Sequence, residues 1–276
     1  MEVELSKAID KVKAKFRFNI DLKEEQRRIL TSLVQKKDVF ALLPTGFGKS
    51  MIFLLLPLIL DVIDPGKKHT VLVISPLTAL IQDQVGVART HGINAGAFAQ
   101  DEINDIIQGD MSILFTSPEA ILQSVWMRMI KLHYMKRIVA VVYDEAHCIC
   151  SWGVDFRPAY RDVGTVQSLL DTPSLAMTAT ATKEIQTDIY SVLGFQSDST
   201  VVVANLPNRP NTFLHVEPSV GKFDSDMEWL LDNLRNSSSP KRVIVRLGDV
   251  LETDTEAMLS AMHLKEVSLT FMTKIL

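Results

Sequence analysis

The sequence predicts an α/β protein with a mainly parallel central sheet that is flanked by helices. Two observations predict this class: short, continuously apolar runs alternate with helical segments, and polar stretches follow directly after those runs. Continuously apolar strands are typical of a sheet buried on both faces, in which helical crossovers connect parallel strands. Ligands bind at the carboxyl ends of such strands, so the polar stretches are expected to meet at one edge of the sheet.

Composition and charge set broad limits on function. The chain has 276 residues, 47% of them hydrophobic and 22% charged, which is enough for a substantial core. The net charge of −4 does not exclude nucleic acid, because binding depends on a local basic surface. The two cysteines, Cys148 and Cys150, cannot supply a four-cysteine zinc site, and we expect no zinc. Since no stretch suits a membrane crossing and no signal peptide is visible, we expect a soluble, intracellular chain without membrane contact.

Residues 1–35 are expected to form a helical lead-in to the sheet. Apolar residues recur with helical spacing over Met1–Arg17, and Asp21 can cap a second helix over Leu22–Gln35. The first helix ends in basic residues, which fit a solvated helix face better than a contact with DNA.

The stretch Ala41–Ser50, with the sequence ALLPTGFGKS, is the strongest chemical signal. An apolar strand over Asp38–Leu43 leads into the loop, and an apolar helix up to about Ile63 follows it, which is the setting of a phosphate-binding loop. Gly46 and Gly48 would let backbone N–H groups approach phosphate oxygens, and the positive end of the helix would point at the same place.

Two side chains at the end of this loop would complete a site for nucleotide phosphates. Lys49 would contact the β- and γ-phosphates, and the Ser50 hydroxyl would bind Mg²⁺. Leu43 stands where the strict pattern of such loops has glycine, so the signal is the shorter form Thr-Gly-x-Gly-Lys-Ser. The alternative is a chance turn of glycine, lysine and serine.

The remaining strands and helices alternate along the chain as a parallel sheet requires. Further strands are expected at Val71–Ile74, Ala95–Phe98, Met111–Phe115, Ile138–Tyr143, Ser174–Thr178 and Thr200–Ala204. Helices are expected at Ala79–His91, from about Glu119 to Tyr134, and at Lys183–Leu193. Polar stretches follow five strand ends, at residues 44–50, 75–78, 116–119, 144–147 and 178–182.

Asp144 and Glu145 follow the apolar strand Ile138–Tyr143. A carboxylate at Asp144 could hold Mg²⁺ directly or through water, and Glu145 could orient and deprotonate an attacking water. Together with the phosphate-binding loop, this pair favours nucleotide hydrolysis over nucleotide binding alone. Two solvated acids at the end of a strand are the alternative.

Three segments, Pro44–Ser50, Asp144–His147 and Thr178–Thr180, together resemble the motifs of superfamily 2 helicases, the second of them a DEAH-type box. The stretch Cys148–Tyr160 resembles the aromatic-rich loop of RecQ-family DNA helicases, and Asn205–Asn211 resembles the segment where that family leaves its first domain. The resemblance covers residues from about 16 to 245. It implies a RecA-like P-loop NTPase fold and an ATP-dependent helicase that moves 3′ to 5′ along DNA.

The resemblance also implies roles at the nucleotide site. Phe18, Lys23 and Gln26 match the segment that recognises adenine, and a glutamine amide can both donate to and accept from an adenine edge. ATP-binding residues are implied at Thr45, Gly46, Phe47, Gly48, Lys49 and Ser50, and Mg²⁺ ligands at Ser50 and Asp144. The catalytic set is implied at Lys49, Asp144, Glu145 and His147, with Glu145 as the base and His147 coupling the nucleotide site to the rest of the protein.

A second set of residues matches segments that contact or sense DNA. The loop that senses single-stranded DNA is matched by Trp152, Phe156, Arg157 and Tyr160. Thr178 and Thr180 match the segment that links hydrolysis to strand separation. Two further segments, Ser75–Gln84 and Thr116–Glu119, match segments that touch DNA. Aromatic rings can stack on bases and an arginine can hold a phosphate, while packing beneath the loop is the alternative for Trp152 and Phe156. Val154 stands where this loop usually has histidine, and a valine side chain cannot form a hydrogen bond.

The chain is expected to divide into two regions. Residues 1–215 would form the RecA-like ATP-binding domain, and residues 216–276 the start of a truncated second helicase domain and a divergent tail. Lys241–Val245 resembles the first strand of that second domain, helices are expected at Met227–Arg235 and Glu252–Lys265, and the resemblance ends at Arg246. Because the resemblance implies that the second domain contributes arginines to catalysis, we expect the chain alone to bind ATP and Mg²⁺ but to hydrolyse ATP slowly and not to unwind DNA.

The expected partners are ATP and single-stranded or forked DNA, and the sequence does not indicate which protein partners bind. The alternative function is a non-catalytic fragment that binds DNA or partners and so regulates the full-length helicase. A small-molecule kinase is a third reading, but it leaves Ser151–Tyr160 unexplained. We expect a nuclear location if the source has a nucleus and a cytoplasmic one otherwise.

Overall fold

Within the described residues, a sheet of seven strands forms the centre of the fold and helices cover both of its faces. The computed structural model describes residues 2–16, 18, 20–150, 158–205, 243–245 and 269–271. In chain order the strands of this sheet are β1 (Val39–Leu42), β2 (Thr70–Ile74), β3 (Ala95–Ala97), β4 (Ile113–Thr116), β5 (Ile138–Tyr143), β6 (Ser174–Thr178) and β7 (Val201–Ala204). The helices are α1 (Glu2–Phe16), α2 (Glu24–Val34), α3 (Ser50–Ile63), α4 (Thr78–Thr90), α5 (Ile103–Gln108), α6 (Pro118–Ile121), α7 (Ser124–Met129) with a π-helical turn after it (Ile130–Tyr134), α8 (Pro158–Asp162), α9 (Gly164–Leu169) and α10 (Lys183–Leu193).

Neighbouring strands of this sheet all run parallel, in the order β3-β4-β2-β5-β6-β1-β7. The register aligns their carboxyl ends: Leu42 lies opposite Thr178, and Ile74 lies opposite Tyr143. The predicted parallel sheet is therefore confirmed, and the polar stretches that follow these strands do meet at one edge.

Apolar side chains alternate between two cores, one on each face of the sheet. In β2, for example, Val71 and Val73 belong to one core and Leu72 and Ile74 to the other. The first core is covered by α1 to α4, and α3 is buried along Ile52–Ile59, as expected of the helix behind a phosphate-binding loop. Among the described helices, none reaches the combination of length and apolar character that a bilayer crossing needs.

The start of α2 differs from the prediction, because the helix begins at Glu24 and Asp21 does not cap it. Asp21 is exposed and forms an ion pair with Lys13 at 3.1 Å. Lys23 takes the position before the helix with an extended backbone, and its N–H donates to Oε1 of Gln26 at 2.9 Å. An amide from inside the first turn thus satisfies a backbone donor that precedes the helix.

The chain divides into two compact units, Met1–Asn208 and Arg209–Leu276. In the second unit, β8 (Val243–Val245) pairs in parallel with β9 (Leu269–Phe271). The strand predicted at Lys241–Val245 is thereby confirmed over its last three residues, and β9 is not among the predicted strands. The helices predicted at 227–235 and 252–265 lie outside the described residues, and the domain boundary between 215 and 216 stays a prediction.

Candidate nucleotide-binding site

A cavity of about 420 Å³ lies at the carboxyl edge of the sheet and joins distant parts of the chain. Its walls include Gly46, Gly48, Lys49 and Ser50 from the loop after β1, and Asp144 and Glu145 from the end of β5. Two turns of α4 form a further wall, through Leu80, Asp83, Gln84 and Val87. The folded chain therefore brings the predicted phosphate-binding residues and the predicted acid pair to the same cavity.

The loop after β1 has backbone angles that glycine adopts without strain. Gly46 has φ of +78° and Gly48 has φ of +87°. The backbone angle favours glycine there, and a Cβ atom at Gly48 would lie 2.8 Å from Nε2 of Gln26, so the amide of Gln26 would have to shift. Leu43, where the strict pattern has glycine, is fully buried and donates its N–H to the carbonyl of Thr178 at 2.9 Å. Leu43, the residue that departs from the strict pattern, is therefore part of the core and links the end of β1 to β6.

Lys49 and Ser50 stand where the loop turns into α3. Ser50 is the first residue of this helix, so the positive end of the helix dipole points at the cavity. The Nζ atom of Lys49 donates to the carbonyl of Leu43 at 3.4 Å, which places the lysine charge within the loop. Thr45 is exposed on the loop and Phe47 is buried, and their predicted contacts with ATP stay predictions.

Lys23 and Gln26 hold the loop from the start of α2. Nε2 of Gln26 donates to the carbonyls of Phe47 at 3.3 Å and Gly48 at 3.0 Å. Nζ of Lys23 donates to the carbonyl of Phe47 at 3.3 Å and lies 3.9 Å from the centre of the Phe47 ring, a cation–π contact. Since Oε1 of Gln26 also accepts from Lys23, the buried amide is engaged at both ends within the protein.

Phe18 lies apart from the loop contacts, in the core. It is buried, and its ring centre is 4.3 Å from that of His91, with the two rings inclined at 30°. Of the described residues that line the cavity, none is Phe18, Lys23 or Gln26. The recognition of adenine by these three residues stays a prediction.

Asp144 is a carboxylate that the end of β5 carries into the protein, with 5% of the residue exposed. Its Oδ1 accepts from the N–H of Glu145 at 3.1 Å, and its Oδ2 accepts from Nε2 of Gln84 at 3.2 Å. Burial raises the pKa of Asp144 above its ordinary value, because removal from water disfavours the charged form. A cation beside it would favour that charged form, and a carboxylate with the Ser50 hydroxyl is the oxygen donor set that Mg²⁺ prefers. The residues present therefore fit the metal that the family resemblance implies.

Glu145 is held in a strained backbone conformation beside this acid. Its φ of +48° lies in the left-handed region, which costs a non-glycine residue about 1–3 kcal/mol and is typical of functional turns. Its Oε2 is 3.3 Å from Nδ1 of His147, and this contact lowers the pKa of Glu145 below its ordinary value. Glu145 is therefore ionised at neutral pH and can accept a proton.

His147 connects the acid pair to the end of β6. Its Nδ1 is 3.0 Å from Oγ1 of Thr178, whose hydroxyl donates to the carbonyl of Thr180 at 2.8 Å, so the Thr178 oxygen accepts from the imidazole N–H. Contacts with the Cys148 sulfur and the Glu145 carboxylate raise the pKa of His147 to about 9. His147 is therefore a cation at neutral pH and donates toward both the acid and the threonine.

Tyr160 is the described member of the residues predicted to sense DNA. It is fully buried, and its hydroxyl donates to the main-chain carbonyl of Asp144 at 2.7 Å. The ring of Tyr160 is therefore packed in the core, and its role in sensing DNA stays a prediction. Trp152, Phe156 and Arg157 lie outside the described residues.

Gln84 lines the nucleotide cavity, although the sequence predicts a contact with DNA for its segment. It ends the stretch Ser75–Gln84, which matches a DNA-contacting segment, yet it lines the cavity and donates to Asp144. A glutamine inside a helix carries no local chemical signal. The indirect signal is topological: α4 follows β2, which pairs with β5, so the start of α4 must border the same edge as the acid pair.

Comparison with known proteins points to one family. The sequence model described as DEAD/DEAH box helicase matches residues 23–188. The chain is 37% identical over 226 residues to the Bacillus subtilis protein named "Probable ATP-dependent DNA helicase RecS", covering 77% of this chain and 42% of that protein. It is 29% identical over 204 residues to "ATP-dependent DNA helicase RecQ" of Haemophilus influenzae, covering 71% of this chain and 31% of that protein. The predicted resemblance to RecQ-type helicases is thereby confirmed.

The coverage of the relatives and the likeness to solved structures define how far these similarities extend. The chain spans less than half the length of the curated relatives that it matches. Among solved structures, Dbp5 of S. cerevisiae superposes with a TM-score of 0.61 at 17% identity, covering 92% of this chain and 65% of that one. At this identity the likeness shows the fold, and it confirms the RecA-like arrangement of the sheet and helices.

Proposed function

Because the chain belongs to the DEAD/DEAH box helicase family, we propose that its cavity binds ATP with Mg²⁺ and that ATP hydrolysis there is coupled to unwinding of DNA. One observation carries the proposal: Lys49 and Ser50 of the loop line the same cavity as Asp144 and Glu145. The names of the RecS and RecQ relatives support DNA as the coupled substrate. The RecQ resemblance supports 3′ to 5′ movement, on single-stranded or forked DNA.

The loop and the buried acid divide the binding of ATP between them. Lys49 would contact the β- and γ-phosphates, together with backbone N–H groups at the start of α3. The Ser50 hydroxyl and the Asp144 carboxylate would hold Mg²⁺. When bound, this ion neutralises negative charge that develops on the transferred phosphoryl group.

Glu145 would act in ATP hydrolysis, and His147 would couple hydrolysis to the end of β6. Glu145, ionised at neutral pH, would orient the attacking water and accept its proton. His147 would transmit the change to Thr178 and Thr180 at the end of β6, because its imidazole contacts both Glu145 and Thr178. The helicase resemblance links these two threonines to strand separation.

For the 276-residue chain by itself, we expect ATP and Mg²⁺ to bind but hydrolysis to be slow and unwinding absent. The resemblance implies that arginines of a second helicase domain complete the site, and such arginines contribute about 10³–10⁵ in rate. A non-catalytic fragment that binds DNA and competes with a full-length helicase is the alternative for the chain alone.

ATP hydrolysis by the purified chain, with and without single-stranded DNA, tests the proposal. Lys49→Ala should weaken nucleotide binding and abolish turnover, because it removes the cation of the loop. Glu145→Gln should retain nucleotide binding but lower turnover below the slow rate of the wild-type chain, because it removes the positioned base. Lys37→Ala, at an exposed lysine before β1, is the matched control and should behave like the wild type.

Two results would contradict the proposal: turnover that survives Lys49→Ala, or turnover that Glu145→Gln leaves unchanged. A different pair of results would favour the non-catalytic alternative. In that case the chain would not hydrolyse ATP, and its affinity for DNA would be the same with and without Lys49→Ala.

A further inference from the structure

Gln84 faces the acid of the proposed metal site from α4. Its Nε2 donates to Oδ2 of Asp144 at 3.2 Å, and the residue lines the same cavity as Lys49 and Ser50. An ionised carboxylate can only accept hydrogen bonds, so this contact fixes the NH₂ end of the amide toward Asp144 and the carbonyl end away from it.

The carbonyl end of this amide is the unusual feature. Oε1 of Gln84 is buried and has no hydrogen-bond partner within the part of the chain that the structure describes. Buried amide oxygens in native proteins are nearly always paired with a protein donor or an ordered water, because an unpaired one costs free energy. Oε1 can therefore accept a hydrogen bond from a donor that binds at the site.

Hydrated Mg²⁺ supplies such a donor. Magnesium in nucleotide sites is bound through one or two protein oxygens and keeps several of its water molecules, whose O–H groups point outward from the ion. The two oxygens of Asp144 are already oriented, one by the N–H of Glu145 and the other by Gln84. An ion held at Asp144 and Ser50 would place its waters in the cavity that Gln84 lines.

We propose that Gln84 is a binding residue for hydrated Mg²⁺. Its NH₂ group orients the Asp144 carboxylate, and its Oε1 accepts a hydrogen bond from a water molecule of the hydrated ion. Both ends of the amide are required, which explains a glutamine rather than a leucine or a glutamate at this point of α4. The inference rests on the proposed function, because it deepens the role of the same site.

Binding of ADP to the full chain, measured by titration calorimetry in EDTA and at rising Mg²⁺ concentration, tests the inference without turnover. Gln84→Met keeps the length of the side chain but removes the donor and the acceptor. We expect it to raise the Mg²⁺ concentration for the half-maximal gain in ADP affinity by about tenfold or more, the usual effect of losing a group that supports a metal ligand. Its ADP affinity in EDTA should match the wild type.

Gln82→Met is the matched control, since Gln82 lies on the same helix but is exposed. It should leave both affinities unchanged. Gln84→Ala serves as a second variant that adds no bulk, and melting temperatures establish that each variant is folded. An unchanged Mg²⁺ requirement in folded Gln84→Met and Gln84→Ala would overturn the inference. So would a loss of ADP affinity that is as large in EDTA as in the presence of Mg²⁺.

Failure of the proposed function has a different signature. If the wild type binds no ADP, or if Lys49→Ala binds ADP as the wild type does, the nucleotide site itself is refuted and the role of Gln84 with it. If wild-type ADP affinity depends on Lys49 and Mg²⁺ but not on Gln84, the proposed function stands and only the inference about Gln84 fails.

Discussion

The phosphate-binding loop after β1 and the acidic end of β5 border one cavity but are held by different kinds of interaction. Around the loop, backbone carbonyls accept hydrogen bonds from Lys23 and Gln26, and Gly48 has a backbone angle that suits glycine alone. At the end of β5, the contacts join groups that gain or lose protons, among them Glu145 and His147. The conformation of the loop therefore depends on backbone geometry, whereas the contacts at the end of β5 depend on the protonation of side chains.

This difference separates two parts of the proposed mechanism. Changes to the shape of the loop should disturb nucleotide affinity, because the loop would hold the phosphates. Changes to charge at the end of β5 should disturb metal binding, proton transfer and the pH dependence of stability. Variants that alter one property at a time can test whether the two regions are as distinct as their contacts indicate.

Gly48→Ala should have the largest effect on the loop. The new side chain would occupy a backbone angle of +87° and place its Cβ atom 2.8 Å from Nε2 of Gln26. We expect ADP affinity to fall at least about tenfold and the free energy of unfolding to fall by about 1–3 kcal/mol. Calorimetric titration with ADP and urea denaturation measure the two quantities.

Gly86→Ala is the control for this substitution. Gly86 lies within α4, and a Cβ atom there would meet no described atom within 4 Å. Because alanine favours a helix over glycine by about 1 kcal/mol, this variant should be as stable as the wild type or more stable, with unchanged ADP affinity. Wild-type affinity in Gly48→Ala would show that the loop does not depend on its shape as we describe.

A pH-dependent effect on stability is expected at the end of β5. The pKa of His147 is raised from 6.5 to about 9, so the stabilisation from its contacts is fully present below about pH 6.5 and is lost as pH rises through about 9. We expect wild-type stability to fall by about 1–3 kcal/mol relative to His147→Gln between about pH 6 and pH 10. Urea denaturation of both proteins across this range measures the difference.

His133→Gln, at an exposed position, controls for the general effect of losing a histidine. It should track the wild type at each pH. If the gap in stability between wild type and His147→Gln is the same at both ends of the range, the raised pKa of His147 is contradicted. The end of β5 would then be stabilised by its backbone geometry, as the loop is, and not by the charge on His147.

The strands and their shared edge could be predicted because the physical signal is local. β5 and β6 have the predicted bounds, Ile138–Tyr143 and Ser174–Thr178, since strands buried on both faces are continuous apolar runs. The phosphate-binding loop could be predicted for a similar reason, because the positive φ angles at Gly46 and Gly48 require glycine at fixed spacing.

Contacts between segments could not be predicted, because strand order determines them. Thr178 lies beside His147 only because β6 is placed between β5 and β1, and neither residue indicates this order locally. The buried hydroxyl of Tyr160 likewise donates to the carbonyl of Asp144, whereas an aromatic-rich stretch by itself suggests exposed rings. Gln84 likewise meets Asp144 through the pairing of β2 with β5.

The central claim is that the loop and the acidic end of β5 form one site for ATP and Mg²⁺. The most direct test is the affinity for ADP, with Mg²⁺ and with EDTA, of Lys49→Ala and Asp144→Asn beside the wild type. We predict that Lys49→Ala weakens binding in both conditions, whereas Asp144→Asn binds like the wild type in EDTA and loses the gain in affinity that Mg²⁺ provides. A Mg²⁺-dependent gain that survives intact in Asp144→Asn would contradict the claim, because the acid would then not hold the ion.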